Sequence, residues 1–254
     1  MQTVRLTRGT RILAIVATLG LVAALVALLM LGGAPLVYRT GMQPLPVSFL
    51  LLRNGVYVAG AAALLSLIGL IGIRRYGPTL RRLVPIAFVV SLAIGVVPFT
   101  FFNPRNPPPP IHDITTDMDN PPVFVAVLPL REAAKAANPV AYNPDDAKVQ
   151  KAAYADIVPM VTKLPPAEAF NRAASAARAM GWTMVAQDSG DGRIEASDTT
   201  FWFGFTDDVV IRVTAQDGGS RIDIRSLSRI GRGDVGANAK RIRAYEAKLK
   251  DALG

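Results

Sequence analysis

Two kinds of hydrophobic pattern divide the chain. The first 102 residues contain three long apolar runs without a charged residue, whereas the later part has short runs in which apolar and polar residues alternate. Each long run has about the 20 residues that a helix needs to cross the hydrocarbon layer of a membrane. The sequence therefore predicts a membrane anchor over residues 1–102, with transmembrane helices at about 12–31, 55–73 and 83–102.

The pattern over residues 123–254 is typical of an α+β domain. An amphipathic helix begins at Pro165 and ends at Gly181, and a last helix is expected over 234–249. Between them, turn sequences rich in Asp, Gly and Ser separate five segments of strand character: 182–187, 193–197, 199–205, 209–215 and 221–228. The run at 123–127 adds a candidate edge strand. The predicted fold class is α+β, an antiparallel meander sheet with helices packed on one face, preceded by three transmembrane α-helices.

A proline-rich segment over residues 103–122 joins the two parts. Four consecutive prolines favour an extended and fairly stiff chain. We interpret this segment as a linker that separates the domain from the bilayer.

The net charge of +9 belongs entirely to the membrane part. Residues 1–102 carry nine arginines and no acidic residue, while basic and acidic residues balance at nineteen each in the remainder. Positive residues favour the cytoplasmic side of membrane proteins. Seven of the nine arginines precede the first run or separate the second from the third: Arg5, Arg8, Arg11, Arg74, Arg75, Arg81 and Arg82. We expect a multi-pass protein of the inner membrane with a cytoplasmic amino terminus and a periplasmic carboxy-terminal domain.

This distribution also bears on partners. Because the excess charge lies in the membrane part, it predicts contact with the lipid bilayer and no binding of nucleic acid. A basic last helix, over 239–250, could contact anionic headgroups or an acidic envelope protein, or its charges could form a solvated face.

The chain contains no cysteine and one histidine. A disulfide, a thiolate nucleophile and a Cys-ligated zinc are therefore excluded. The sequence also lacks a nucleophile elbow and a glycine-rich phosphate loop after a strand. No cofactor is predicted.

The stretch from Arg221 to Asn238 holds the densest set of polar groups, where a strand leads into the last helix. Five donors there could bind a phosphate, sulfate or carboxylate. They are Arg225, Ser226, Ser228, Arg229 and Arg232. Alternatively, Arg225 pairs with Asp223 or Asp208 across the sheet and Asp234 caps the helix, so that the set is structural.

Two groups of acidic residues are weaker candidates. His112, Asp113 and Asp117 have side chains that can bind a divalent ion, although Asp113 and Asp117 could instead cap turns. Asp207 and Asp208 could act as an acid–base pair. Neighbours on a strand point to opposite faces, however, so the two need not share a site.

Several motifs resemble the family called domain of unknown function 1499, over about residues 107–250. They include HDITTD from His112, GFTDDVVIRV from Gly204 and, most specifically, DIRSLSRIGRGDVGANAKRIR from Asp223. The resemblance implies bacterial or plastid relatives that often have membrane spans ahead of the domain, and it implies no activity or cofactor. The positions that match the family pattern are Asp207, Asp208, Arg212, Arg225, Ser226, Ser228, Arg229, Gly231, Asp234, Gly236, Asn238 and Arg241.

These observations predict a non-catalytic binding or structural module of the bacterial envelope. An anionic ligand or an envelope protein is its expected partner. The alternative is an anion- or metal-dependent enzyme that uses the loop from Arg225 to Asp234 or the pair Asp207 and Asp208.

Overall fold

The computed structural model describes residues 7–102 and 107–253. Arg5, which the topology prediction uses, and the first four residues of the predicted linker lie outside this range. The chain divides into two compact units, Met1–Arg105 and Asn106–Gly254.

Over its described residues, 7–102, the amino-terminal unit consists of three long helices and one short 3-10 turn. The helices are α1 (Arg8–Arg39), α2 (Leu45–Leu70) and α3 (Pro78–Phe102), and the 3-10 turn is Ile73–Arg75. All three helices are long and apolar enough to cross a membrane. Each begins before the apolar run that predicted it, because the helix includes charged residues that precede the run: Arg8 and Arg11 in α1, Arg53 in α2, and Arg81 and Arg82 in α3.

Small residues bring these helices close together. A Cβ added to Gly20 would overlap with Ser66, and one added to Gly69 would overlap with Ala17. Ala27 is fully buried, whereas several leucines of the same helix, such as Leu25 and Leu29, are exposed. Small residues inside and large apolar residues outside are typical of helices that pack within lipid.

The carboxy-terminal unit contains a six-stranded antiparallel sheet and four helices among its described residues. The strands are β1 (Asp113–Thr115), β2 (Met160–Thr162), β3 (Thr183–Asp188), β4 (Arg193–Thr199), β5 (Thr206–Gln216) and β6 (Gly219–Ser228). The helices are α4 (Leu128–Ala133), α5 (Asp145–Ala153), α6 (Pro166–Ala179) and α7 (Ala237–Leu253).

The sheet is a meander from β3 to β6 that two short strands complete. The strand order is β1-β6-β5-β4-β3, and β2 also pairs with β6. β1 pairs with residues 225–227 of β6 and β2 with residues 220–222, so the two share one edge.

Three local predictions were wrong. Residues 200–205 form the loop between β4 and β5 rather than a strand, because Gly204 adopts a φ of +70° and the amide of Thr200 donates to the carbonyl oxygen of Phe205 over 2.8 Å. Residues 123–127 lead into α4 instead of pairing at an edge. The last helix begins at Ala237 rather than at residue 234, although Asp234 caps it as predicted, by accepting from the amides of Gly236 and Asn238.

The two long helices of this unit cover one face of the sheet. α6 and α7 pack on the apolar residues of β4, β5 and β6, and Trp182 stacks on Tyr245 with ring centroids 5.4 Å apart. On the other face, a smaller cluster joins Phe124 and Val127 to Val210 and Leu227. The predicted α+β fold class is confirmed, with the addition that α4 lies on this second face.

Candidate functional site

Strand geometry distributes the five predicted anion-binding residues over two faces of the sheet. Ser226 and Ser228 face α7, where each hydroxyl contacts the Asn238 side chain. Arg225 and Arg229 lie on the opposite face, and Arg232 is exposed in the loop that follows β6. The structure does not bring the five donors to one point.

Asp207 and Asp208 also point to opposite faces. Asp207 accepts a hydrogen bond of 2.6 Å from Arg241, on the side of α7. Asp208 instead accepts from Arg131 and Arg229 on the other face. The two carboxylates are adjacent in sequence but belong to separate clusters.

The cluster around Asp208 combines one buried carboxylate with two arginines. Arg131 donates to it over 2.6 Å and Arg229 over 2.7 and 2.9 Å, through two nitrogens. The hydroxyl of Ser197 adds a bond of 2.7 Å. The ion group therefore has one positive charge more than its carboxylate can neutralise.

Arg225 is buried against Asp113 on the same face. Its guanidinium binds both oxygens of that carboxylate, over 2.9 and 2.7 Å. It also donates to the carbonyl oxygens of Pro122 and Val140. Because these contacts use four of the five N–H groups of an arginine, little donor capacity is left for an external anion.

Two aromatic rings enclose this guanidinium. Its central carbon lies 5.1 Å from the ring centroid of Phe124 and 5.5 Å from that of Tyr142, which is within cation–π range. Burial and the nearby negative charges of Asp113 and Asp146 raise the pKa of Tyr142 to about 12. The phenol therefore stays neutral beside the ion pair at physiological pH.

The amino terminus of α7 is occupied by the protein's own side chains. Asp234 accepts from the amides of Gly236 and Asn238, over 2.8 and 2.7 Å. Burial raises the pKa of Asp234, although these hydrogen bonds act in the opposite direction. The position that an anion would take at this helix end is filled by a carboxylate.

Asn238 and Arg241 connect α7 to the sheet. The side-chain nitrogen of Asn238, Nδ2, donates to the carbonyl oxygen of His112 and to the hydroxyl of Ser228, each over 2.9 Å. Arg241 binds Asp207 over 2.6 Å and Asp198 over 2.8 Å. Two positions that match the family pattern, Asn238 and Arg241, therefore hold α7 to the three strands β4, β5 and β6.

Another ion group contains Arg212, which lies on β5 between β4 and β6. Arg212 lies 3.0 Å from both Asp117 and Asp223, and Arg221 binds the same two carboxylates. The group has two cations and two anions, so its charge balances.

The predicted metal ligands have different partners. Nδ1 of His112 lies 3.4 Å from the carbonyl oxygen of Arg232, while Asp113 binds Arg225 and Asp117 binds Arg212. Within residues 7–102 and 107–253, no three His, Asp or Glu side chains gather closely enough to hold a metal ion.

Comparison with known families assigns this region. A family model described as "Protein of unknown function (DUF1499)" matches residues 113–249, which is more than half of the chain. The chain belongs to the DUF1499 family. The resemblance found in the sequence is thereby confirmed, and the matched part of the DUF1499 domain extends from β1 into α7.

Comparisons with individual proteins add little. The crystal structure of Ara h 8.0201 is similar over 37% of this chain and 94% of that chain, with 14% identity and a TM-score of 0.22. No curated protein matches the sequence.

Glu195 is a buried charge of the DUF1499 domain that sequence reasoning missed. Its carboxylate accepts hydrogen bonds of 2.9 to 3.0 Å from three successive amides, those of Val125, Ala126 and Val127. Nε of Arg193 lies 2.9 Å away. The sequence did contain a signal for this position. Glu195 lies on a strand between Ile194 and Ala196, which face the helices α6 and α7, so alternation puts its side chain on the other face of the sheet.

Gln150 was also missed. Its side-chain amide accepts from the backbone nitrogen of Thr115 over 3.1 Å and donates to the carbonyl oxygen of the same residue over 2.6 Å. It thus bonds the free edge of β1 as a neighbouring strand would. No local pattern reveals this role, because it depends on a contact between distant segments.

An open groove with a volume of about 400 Å³ lies beside this edge of the DUF1499 domain. Side chains of both charges line it. The lining includes Asp117, Asp119, Lys148, Lys151 and Arg221.

Proposed function

We propose that this protein is an integral protein of a bacterial inner membrane whose DUF1499 domain lies in the periplasm. We propose further that the domain is a non-catalytic module that binds or organises other envelope components. Three apolar helices and the unequal distribution of arginines support the topology.

One observation carries the non-catalytic part of the proposal. The carboxylates and arginines that an enzyme would use are bound to one another, and the adjacent carboxylates Asp207 and Asp208 serve opposite faces. A catalytic carboxylate has to contact a substrate, whereas Asp208 is fully buried between protein groups. This arrangement favours a role in stability.

A second candidate is a module that binds a small anion. The excess positive charge around Asp208 and the exposed Arg232 support it. Arg229 is the predicted site residue that could turn outward, because it is less buried than Arg225.

The topology is tested with reporter fusions. A reporter that is active only outside the cytoplasm should be active when fused after Gly254 and inactive when fused after Gly77, between α2 and α3. A matched cytoplasmic reporter should give the opposite result. Activity of the cytoplasmic reporter after Gly254 would contradict the orientation.

Thermal melts of the variants Arg225→Ala and Arg229→Ala distinguish a structural role of these arginines from anion binding. They are measured in the detergent-solubilised full chain, with and without phosphate. If the arginines are structural, loss of Arg225 destabilises the domain by about 3 to 5 kcal/mol, because the buried Asp113 carboxylate loses its arginine. Loss of Arg229 should cost less, since Asp208 keeps its bond to Arg131, and phosphate should not stabilise the parent. If Arg229 binds an anion, phosphate stabilises the parent and its loss costs little stability.

A further inference from the structure

The loop between β4 and β5 exposes aromatic side chains. Phe201 is 94% exposed and Trp202 is 52% exposed. Single exposed apolar residues are common on protein surfaces, but two adjacent aromatics at a loop tip form a compact apolar patch.

Ring contacts and a backbone hydrogen bond fix the conformation of this loop. Phe203 is buried, stacks on Phe205 with centroids 5.1 Å apart, and meets Trp202 edge to face at 5.4 Å. The amide of Gly204 donates to the carbonyl oxygen of Thr200 over 3.0 Å. The exposed aromatics therefore stand on a packed base.

A second loop with exposed side chains lies at the same end of the sheet. It follows β6, and its first amide, that of Arg229, donates to the carbonyl oxygen of Thr206 at the base of the aromatic loop. Val235 is 68% exposed and Arg232 is exposed. This end of the domain combines apolar side chains with a cation.

The chain also enters the domain at this end. The carbonyl oxygens of Ile111 and His112 accept from the amides of Asp234 and Ser228. In the sequence, Pro107 follows Phe102, the last residue of α3, by only five positions. The exposed aromatics thus lie at the end of the domain that a short chain connects to an apolar helix.

We propose that Phe201 and Trp202, assisted by Arg232 and Val235, insert into the interface of the lipid bilayer that contains the apolar helices. Aromatic side chains favour the level of the lipid headgroups, and an arginine beside them binds anionic lipid phosphates. The occupant of this surface is a lipid surface and not a second protein. The proposal holds on either side of the membrane, so it does not depend on the orientation proposed above.

Fluorescence quenching tests this in the full chain reconstituted into vesicles that contain anionic lipid. The chain has two tryptophans, Trp182 and Trp202, and both lie in the DUF1499 domain. In Trp182→Phe, Trp202 is the only emitter, and we expect lipids brominated near the headgroup to quench it while aqueous iodide does not. The matched variant Trp202→Phe leaves the buried Trp182, which neither quencher should reach.

A second pair of variants measures the contribution of one side chain. In the Trp182→Phe background, Phe201→Ser removes one aromatic side chain from the proposed lipid contact. It should lower the equilibrium ratio of the inserted loop to the free loop by about tenfold, and iodide should then quench Trp202. Val161→Ser, a 64% exposed position that pairs near the other end of β6, should change nothing.

Two outcomes would overturn the proposal. Quenching of Trp202 by iodide, with none by brominated lipid, would show that the loop stays in water. Protection from both quenchers would show that a protein covers it. If Trp182→Phe impairs folding, the difference in emission between the wild type and Trp202→Phe gives the same readout.

Discussion

Asp208 is a fully buried carboxylate with three side-chain partners, Arg131, Arg229 and Ser197, which makes it a sensitive position. Replacing Asp208 with alanine leaves Arg131 buried without a carboxylate, and we expect a loss of about 3 to 5 kcal/mol in the free energy of unfolding. The matched control is Glu168→Ala, which removes an exposed pair with Arg172 and should cost about 0.5 kcal/mol or less.

Urea unfolding of the full chain in detergent, followed by tryptophan fluorescence, measures both variants. The signal reports this domain alone, because both tryptophans belong to it. Equal stability of the two variants would contradict a structural role for the Asp208 cluster.

Glu246 predicts how stability varies with pH. Burial, and to a lesser extent the charge of Asp156, raises the pKa of Glu246 to about 7 from an ordinary value of 4.5, while Arg243 opposes the shift. Its Oε1 atom is buried and accepts no hydrogen bond within the described part of the chain. The folded state therefore holds the proton more tightly than the unfolded state.

The sign follows from this difference in proton binding. The contribution of Glu246 to stability is complete below about pH 4.5 and is lost as the pH rises through about 7. Glu246→Gln should remove this dependence and stabilise the domain at pH 8 by about 1 kcal/mol, after allowance for partial exposure. Thermal melts at pH 5 and pH 8 check it, with Glu168→Gln as the exposed control. Identical changes at both pH values would disprove the assignment.

At the scale of elements, periodic segments were predictable and short ones were not. α6 follows from apolar spacing that starts beside a proline, and β5 and β6 follow from strict alternation. β1 and β2 have three residues each and exist because β6 offers them an edge. Contacts over about 60 to 110 residues leave no local pattern.

The candidate site was predictable in its residues and not in its geometry. The sequence placed Arg225 on a strand and Asp208 directly before the predicted strand 209–215, whereas β5 in fact begins at Thr206. Alternation along β6 separates the face of Arg225 from that of Ser226. The partners Asp113 and Arg131 come from segments without periodic pattern, so only the folded chain shows that these charges are satisfied.

Substitution of Gly219 tests the pairing of β2 with β6, because this residue lies close to the end of β2. A Cβ added at this residue would overlap with the carbonyl oxygen of Thr162, a backbone atom that cannot move aside. We expect Gly219→Ala to cost about 1 to 3 kcal/mol. Gly190→Ala, where the nearest atom is the flexible Asp188 carboxylate at 3.3 Å, should be almost neutral. Equal unfolding midpoints for the two variants would contradict the close approach of β2.

The whole domain should fold without its membrane anchor. Its charges balance, and its principal core is formed by its own residues on β4, β5, β6, α6 and α7. We expect residues 107–254 to be soluble and to unfold in one cooperative transition. Far-ultraviolet circular dichroism and tryptophan fluorescence should then give coincident urea curves. Non-coincident curves would place the boundary of the folding unit elsewhere.

The position of β1 beside β6 constrains when the domain can fold during synthesis. Asp113 leaves the ribosome more than a hundred residues before its register partner, Leu227. Arg225, the partner of the Asp113 carboxylate, is made equally late. The first strand therefore has no neighbour while the rest of the domain is being translated. A nascent chain that stops before β6 should stay protease-sensitive throughout, because the sheet edge and its ion pair close only when the last strand arrives.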